Sequence, residues 1–179
     1  MTTETNIETL KYPIGKLNLK ETYSREEIEQ NIAKIEKLPE QLKETMALIT
    51  EEDFQKTYRP GAWNIQQLVH HIADSHVNVY TRAKLMISND HPTITPYPEN
   101  AWVEMEDGKS LDVNYSMMIL EGIHKRLSVF LWSLEASQFD RTFFHPEYKR
   151  SYSLADICAM YAWHGAHHLA HIRIAANLD

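Results

Sequence analysis

The chain has 179 residues, 43% of them hydrophobic and 24% charged, which is the composition of one globular domain over residues 1–179 and excludes a disordered or fibrous protein. Its 25 acidic and 18 basic side chains give a net charge of -7, so phosphate backbones are repelled and a nucleic-acid partner is not expected. A single cysteine rules out an internal disulfide, and no segment is long and apolar enough to span a membrane. We therefore expect a cytoplasmic protein with no membrane partner.

The first strong helix signal starts at Ser24, which forms a capping-box pattern with Glu27 and is followed by apolar residues at helical spacing. Pro39 interrupts this pattern, because proline lacks the amide hydrogen that a helix interior needs. We expect Pro39 to bend or break the helix before it continues to about Ile49.

A turn at residues 58–61 leads to a second helix over residues 65–87, whose start carries the capping residues Asn64 and Gln67. The helical pattern stops over residues 89–108, where prolines and large aromatic residues occur together. A loop this long in a compact domain is typical of a functional lid, and packing across helix ends is the alternative.

A third helix is predicted over residues 113–134, and the aromatic-rich connector at residues 138–152 can form a short hairpin. The last helix begins with the capping pair Ser153 and Asp156 and runs to about residue 177. Four long amphipathic helices predict an all-α fold, a four-helix bundle with long loops between the helices.

Histidine is unusually frequent, with 10 residues against 5 glycines. Seven of the ten histidines fall in two short clusters, which are His70, His71 and His76 in the second helix and His164, His167, His168 and His171 in the last. This clustering is the feature of the sequence that most needs a functional explanation.

The spacing within the last helix fits metal binding. His164 and His168 are four residues apart, so both imidazoles project the same way from consecutive turns and can bind one divalent ion. His167 and His171 form a second pair of this kind. At about 100° per residue His167 lies further toward the solvent side than His164 and His168, so helical geometry favours the first pair.

A metal site inside a bundle also needs a ligand from a facing helix. On the second helix His71 lies at the edge of the apolar stripe, where a ligand can face both the interior and an open mouth. His76 lies in the middle of the stripe and is expected to be a hydrogen-bonded core histidine. Asp74 is placed to orient a neighbouring imidazole by accepting its second N–H.

A histidine taken alone is more often a surface or core residue than a metal ligand, so a metal-free histidine core is the alternative. Three neutral imidazole nitrogens with an open fourth position would suit Zn²⁺ and also Ni²⁺ or Fe²⁺. The spacing does not choose among these metals.

Other catalytic motifs are missing from the sequence, including His-Glu-x-x-His, Gly-x-Ser-x-Gly, a glycine-rich phosphate loop and Cys-x-x-Cys. Cys158 lies on an apolar helix face and is expected to be an inert core thiol. No glutamate is close to the ligands in sequence, which leaves Asp74, His76 and His124 as candidates for a general acid or base.

Three further residues are candidates for substrate contact. Arg82 is chosen for its charge, and Tyr97 and Trp102 are chosen for their place on the long loop. A solvated helix edge is the alternative explanation for Arg82.

Several longer motifs together resemble the DinB-like superfamily, in its YfiT-like branch of metal-dependent hydrolases and bacillithiol transferases. The resemblance covers nearly the whole chain and is carried by residues 12–15 (Tyr-Pro-Ile-Gly), 59–64 (Arg-Pro-Gly-Ala-Trp-Asn), 70–76 (His-His-Ile-Ala-Asp-Ser-His), 161–164 (Tyr-Ala-Trp-His) and 167–172 (His-His-Leu-Ala-His-Ile). The proline-containing segment 92–102 and residues 145–147 also look like that branch.

The resemblance implies a four-helix bundle that forms a homodimer and holds one divalent metal ion per chain, with Zn²⁺ the first expectation and Ni²⁺ the second. It implies that the ligands are His71, His164 and His168, in agreement with the choice from helical geometry. Gly165 and Ala166, which stand between two of the ligands, are among the small departures from the family pattern.

Two enzymatic functions follow from an open metal position. In a transferase, a small-molecule thiol of the bacillithiol type binds the metal, loses its proton and attacks an electrophilic partner. In a hydrolase, the same position holds a water of lowered pKa. The absence of a protein nucleophile or a nearby glutamate favours the transferase, and a non-catalytic metal-binding bundle is the third possibility.

Overall fold

The computed structural model describes residues 2–178, with side chains from residue 7 onward. Six α-helices and one hairpin follow each other along the chain: α1 (Thr2–Lys11), α2 (Arg25–Met46), α3 (Ile65–Ser88), α4 (Glu99–Trp102), α5 (Asn114–Trp132), β1 (Thr142–His145), β2 (Arg150–Ser153) and α6 (Leu154–Ala175). The four long helices form the expected bundle. Helices α2 and α3 each pack against both α5 and α6, so α2 and α3 lie diagonally across the bundle and the topology is not a simple up-and-down one.

The predicted helix starts are confirmed. Three long helices begin with a capping box. In it the capping side chain accepts a hydrogen bond from the backbone N–H of the third helical residue, and the side chain of that residue accepts one from the backbone N–H of the capping residue. The three pairs are Ser24 with Glu27, Asn64 with Gln67, and Ser153 with Asp156.

The first long helix differs from the prediction at Pro39. Helix α2 runs through Pro39 without a break and ends at Met46 rather than at Ile49. Leu38 and Leu42, on either side of the proline, are almost fully buried, so packing on both turns outweighs the one backbone hydrogen bond that proline removes. Helix α1 was not predicted, because its sequence has no apolar stripe from which a helix would be inferred.

The expected hairpin is present and ties down the long loop. Strands β1 and β2 pair antiparallel, with Thr142 opposite Ser153. Beside β1, the amide of Ile94 donates to the carbonyl oxygen of Phe144 over 3.1 Å, and the amide of Phe144 donates to the carbonyl oxygen of Pro92 over 2.9 Å. The loop between α3 and α5 is thereby fastened to the hairpin, and it carries α4.

Two apolar clusters fill the bundle at different levels. One cluster takes residues 28–35 of α2, 79–86 of α3 and 154–162 of α6, and the other takes residues 38–42, 65–73 and 172–175 of the same helices. Buried histidines, including His76 and His124, lie between these levels. Within the described residues, none of the helices has the length and apolar character that a membrane crossing requires.

The two bundle glycines with different surroundings provide a test of this packing. A Cβ on Gly165 of α6 would lie 2.4 Å from Cδ2 of buried Leu38, whereas a Cβ on Gly122 of α5 would meet no atom within 4 Å. We predict that Gly165→Ala lowers the free energy of unfolding by about 1–3 kcal/mol through overpacking. Gly122→Ala should raise it by about 0.5–1 kcal/mol through helix propensity. Urea unfolding of both variants checks this, and stabilisation by Gly165→Ala would contradict the close packing of α2 on α6.

Candidate metal centre

Three histidines from two helices converge near the middle of the bundle. His71 comes from α3, and His164 and His168 come from successive turns of α6. Each of the three offers one ligand nitrogen within 4.8 Å of the others. Nε2 of His71 and Nε2 of His164 lie 3.2 Å apart. The structure therefore brings together the three residues that were expected to be the ligands.

The arrangement fits a tetrahedral divalent ion. With metal–nitrogen bonds of about 2.0–2.1 Å, two imidazole nitrogens on one tetrahedral zinc lie about 3.3 Å from each other. The 3.2 Å separation of the His71 and His164 nitrogens is close to this value, and both atoms point to the same space. Among the residues that the structure describes, no Cys, Asp or Glu joins this group, so three nitrogens would leave a fourth position open.

The environment keeps the imidazoles neutral, which is the form that binds a metal. Burial lowers the pKa of His71 to about 4. Burial, followed by the proximity of other histidines, holds the pKa values of His164 and His168 well below their usual range. Near neutral pH each imidazole therefore keeps one nitrogen lone pair for a metal.

A second group, His167, His168 and His171, shares His168 with the first. A neutral imidazole has only one nitrogen with a free lone pair, so His168 can serve one group at a time. The His171 ring stacks on Tyr58 at 3.7 Å and its Nε2 lies 3.3 Å from the carbonyl oxygen of Lys11, so only its Nδ1 is left for a metal. The first group has ligands from two facing helices, which favours it as the metal centre.

Trp63 lies at the candidate centre, although it was not among the predicted site residues. Its ring lies 4.6 Å from that of His71 and 6.4 Å from that of His168. Trp63 stands eight residues before His71, outside helix α3, and is far from His168 along the chain, so no helical spacing indicates these contacts.

Two cavities border the histidines. One, with a volume of about 340 Å³, is lined by His164 of α6, Arg82 of α3, Tyr97 of the long loop and His145 of the hairpin. The other, of about 300 Å³, is lined by His168 and Trp63. Glu99 and Asn100 line both cavities, so the long loop borders the candidate centre, and its role as a lid stays a prediction.

Glu99 borders the candidate metal centre, although no glutamate is close to the three histidines in sequence. Its carboxylate belongs to α4, far from the histidines in sequence, and it lines the cavities of both His164 and His168. Partial burial and then the neighbouring Glu147 carboxylate raise the pKa of Glu99. Spacing along the chain does not indicate this placement, because it depends on how the segment between α3 and α5 folds over the bundle.

The expected acid–base candidates have other surroundings. His76 and His124 are fully buried and hydrogen-bonded, as expected of His76 as a core histidine. Asp74 does not orient a ligand imidazole through any hydrogen bond found among the described side chains. Burial and then the Asp107 carboxylate raise the pKa of Asp74, and the atom beside His164 Nδ1 is instead His76 Nε2, at 3.2 Å.

The three candidate substrate contacts are close to one another. Arg82 donates to the carbonyl oxygen of Thr95 over 3.2 Å and lies 6.0 Å from the centre of the Tyr97 ring. The rings of Tyr97 and Trp102 are 4.6 Å apart. Arg82 and Tyr97 line the cavity beside His164, whereas Trp102 supports Tyr97 without lining that cavity.

Metal binding by single variants distinguishes the two histidine groups. We predict that His71→Ala raises the metal dissociation constant by more than the roughly 100-fold that loss of a supporting hydrogen bond causes, because it removes a ligand. The matched variant His167→Ala should bind metal nearly as the parent does. Competition with a chromophoric chelator measures both constants, and the reverse ranking would move the centre to the second group.

The buried histidines also predict the acid sensitivity of the metal-free protein. His71 and His124 titrate near pH 4 in the folded state because burial lowers their pKa, whereas unfolded histidines titrate near 6.5. The unfolded state therefore binds more protons as the pH falls from about 6.5 to 4. Each such histidine lowers the free energy of unfolding by up to about 1.4 kcal/mol per pH unit in this window. Urea unfolding across the range checks this, and a flat profile would show that the histidines are solvated.

Comparisons with known proteins agree with this fold. The DinB superfamily matches residues 34–172. A protein of Bacillus subtilis (strain 168) named "Putative metal-dependent hydrolase YfiT" is 39% identical over 163 residues, which cover 91% of this chain and 92% of that one. A Bacillus cereus (strain 03BB102) protein, also named "Putative metal-dependent hydrolase", is 42% identical over 163 residues, with 91% and 93% covered.

Solved structures show the same architecture. The structure of YfiT from Bacillus subtilis, described as a probable metal-dependent hydrolase with an unusual four-helix bundle topology, has a TM-score of 0.91 and 38% identity, and covers 94% of this chain and 97% of that one. The mycothiol-dependent maleylpyruvate isomerase has a TM-score of 0.65 and 14% identity, with 81% and 60% covered, and shares the fold. The chain therefore belongs to the DinB superfamily, in its YfiT-like, metal-dependent branch.

Proposed function

We propose that this chain is a metal-dependent enzyme that transfers a small-molecule thiol of the bacillithiol type to an electrophilic small molecule. The observation that carries the proposal is a group of three histidines with no further protein ligand among the described residues, next to a cavity that ends at His164. Such a centre has room for a ligand supplied from solution.

One divalent ion per chain would be held by His71, His164 and His168. Zn²⁺ is the first choice for three imidazole nitrogens, and Ni²⁺ is a suitable alternative. When bound, the ion lowers the pKa of a coordinating thiol so that the thiolate forms near neutral pH.

The protein lacks a sulfur nucleophile of its own. Cys158 is the single cysteine, and it is 1% exposed. Burial raises the pKa of its thiol to about 12, so it remains protonated and inaccessible. The attacking sulfur must therefore come from a co-substrate. A fold shared with a mycothiol-dependent isomerase is compatible with a low-molecular-weight thiol in this role.

Arg82 is the residue that we propose to anchor the substrate. No carboxylate lies within 4.0 Å of its guanidinium among the side chains that the structure describes, so the charge is available to a ligand in the cavity. An arginine of this kind binds a carboxylate or phosphate through two parallel hydrogen bonds. Tyr97 and Tyr161 line the same cavity and supply aromatic walls.

Hydrolysis is the second candidate function, and two observations favour it. The relatives in Bacillus subtilis and Bacillus cereus are named metal-dependent hydrolases. Glu99, with its raised pKa, lines both cavities at the centre and is suited to act as a general base on a water.

Consumption of an electrophile with and without thiol distinguishes the two functions. With the zinc-loaded protein, L-cysteine and monochlorobimane, we expect the fluorescent thioether to form faster than in the protein-free reaction. The thiolate forms the carbon–sulfur bond and chloride leaves. His164→Ala should lose at least about 100-fold of the rate because it removes a ligand, whereas Glu99→Gln should change it by less than about tenfold.

Two other results would contradict the transferase function. Turnover of ester or amide substrates without thiol, together with a loss of roughly 10²–10⁴-fold in Glu99→Gln, would establish hydrolysis with Glu99 as the base. Metal binding with no turnover of either kind would indicate a non-catalytic bundle.

A further inference from the structure

Three hydrogen bonds in series lead from His164 across the bundle. Nδ1 of His164 lies 3.2 Å from Nε2 of His76, and Nδ1 of His76 lies 2.8 Å from Nε2 of His124. Nδ1 of His124 lies 2.6 Å from the carbonyl oxygen of Ile35. We refer to His164, His76, His124 and the Ile35 carbonyl as the histidine chain.

The histidine chain takes one member from each of the four long helices, in the order α6, α3, α5 and α2. His76 is 0% exposed, His124 is 1% exposed and Ile35 is 2% exposed, so no solvent water competes for the inner hydrogen bonds. The rings of His76 and His124 also stack at 4.7 Å with an angle of 17°. The geometry is therefore fixed by the packing of the whole bundle.

The carbonyl oxygen of Ile35, at the end of the histidine chain, determines the direction of every hydrogen bond in it. A carbonyl oxygen only accepts, so Nδ1 of His124 carries a hydrogen. His76 and His124 are almost completely buried, and neither ring has a carboxylate partner among the described side chains, so each ring is neutral and carries a single N–H. Nε2 of His124 then accepts from Nδ1 of His76, and Nε2 of His76 accepts from Nδ1 of His164.

The opposite direction is excluded by the same geometry. If Nε2 of His164 carried the hydrogen, each ring along the chain would reverse. Nδ1 of His124 would then face the Ile35 oxygen at 2.6 Å with two lone pairs opposed and no hydrogen between them. Such an arrangement is unfavourable, because neither buried atom can make a hydrogen bond to water instead.

We propose that His76 and His124 are positioning residues that hold His164 in its Nδ1–H tautomer, so that the lone pair on Nε2 faces His71 and His168. The proposal rests on the metal centre described above and assigns it a support that crosses all four helices. His168 lacks such support, since its Nδ1 has no hydrogen-bond partner. His164 is thereby the ligand that is oriented before a metal arrives.

The histidine chain is suited to orienting His164 and not to exchanging protons with solvent. It ends at the backbone of Ile35, a residue buried in the apolar cluster, and a carbonyl oxygen there cannot pass a proton to solvent. His76 and His124 are therefore not the general acid or base that the sequence left open.

The tautomer of His164 can be measured directly in the metal-free protein. Long-range proton–nitrogen NMR spectra near pH 7.5 distinguish a protonated Nδ1 from a protonated Nε2 in each histidine. We expect the Nδ1–H form for His164, His76 and His124 in the parent. This measurement needs neither a metal nor a substrate.

Variants of His124, at the far end of the histidine chain, test whether this residue controls the tautomer of His164. His124→Phe keeps an aromatic ring but removes the anchor, so we expect His164 to show a mixture of tautomers and the zinc dissociation constant to rise about 10–100-fold. His124→Gln can accept from His76 and donate to Ile35, and should restore most of both properties. His70→Phe is the matched control, because His70 is also buried and hydrogen-bonds from α3 to Ser116 of α5 without contact to His164.

Three results would overturn the proposal. They are an Nε2–H tautomer of His164 in the parent, an unchanged tautomer in His124→Phe, or a loss of zinc affinity no larger than that of His70→Phe. If His124→Phe does not fold, the parent spectrum and the His124→Gln variant decide the question. A parent with the expected tautomer that binds no metal would contradict the metal-dependent function and leave the chain's direction established.

Discussion

A layer of buried histidines in the middle of the bundle is the constraint on which the structure depends. Polar groups that leave water without a hydrogen-bond partner are costly, and here such groups lie between two apolar clusters. All four long helices contribute to the hydrogen bonds of His76 and His124, with a carbonyl oxygen of α2, an imidazole of α5 and imidazoles of α3 and α6. A shift of one helix along its axis would leave one of these groups without a hydrogen-bond partner. The layer therefore fixes the relative heights of the four helices.

Much of the fold could be predicted because its signals are local. Capping boxes at Ser24, Asn64 and Ser153 and the 3.6-residue apolar period locate three long helices to within a few residues. The fate of Pro39 could not be predicted, since the packing of Leu38 and Leu42 that maintains the helix is a tertiary effect. Helix α1, by contrast, has no apolar period from which a prediction could start.

The candidate site also contains residues that could be predicted and residues that could not. His71, His164 and His168 could be selected because two of these candidate ligands share a helix and the third lies on the edge of an apolar stripe, which are properties of single helices. Trp63, Glu99 and the partnership of His76 with His124 depend on how loops and separate helices meet, and no spacing within the chain records them. Asp74 was expected to support a ligand because it is near in sequence, yet a histidine near in space has that position.

The attachment of the long loop to the hairpin divides the protein into two parts with different freedom to change. The loop contributes Tyr97 and Glu99 to the cavity wall, the hairpin contributes His145, and backbone hydrogen bonds at Ile94 and Phe144 join them. Backbone bonds do not depend on side-chain identity, so residues on this joined rim can be exchanged without disturbing the histidine layer below. Relatives with one metal chemistry could thus acquire different substrate preferences by altering the rim alone, and an engineer seeking a new substrate would begin there.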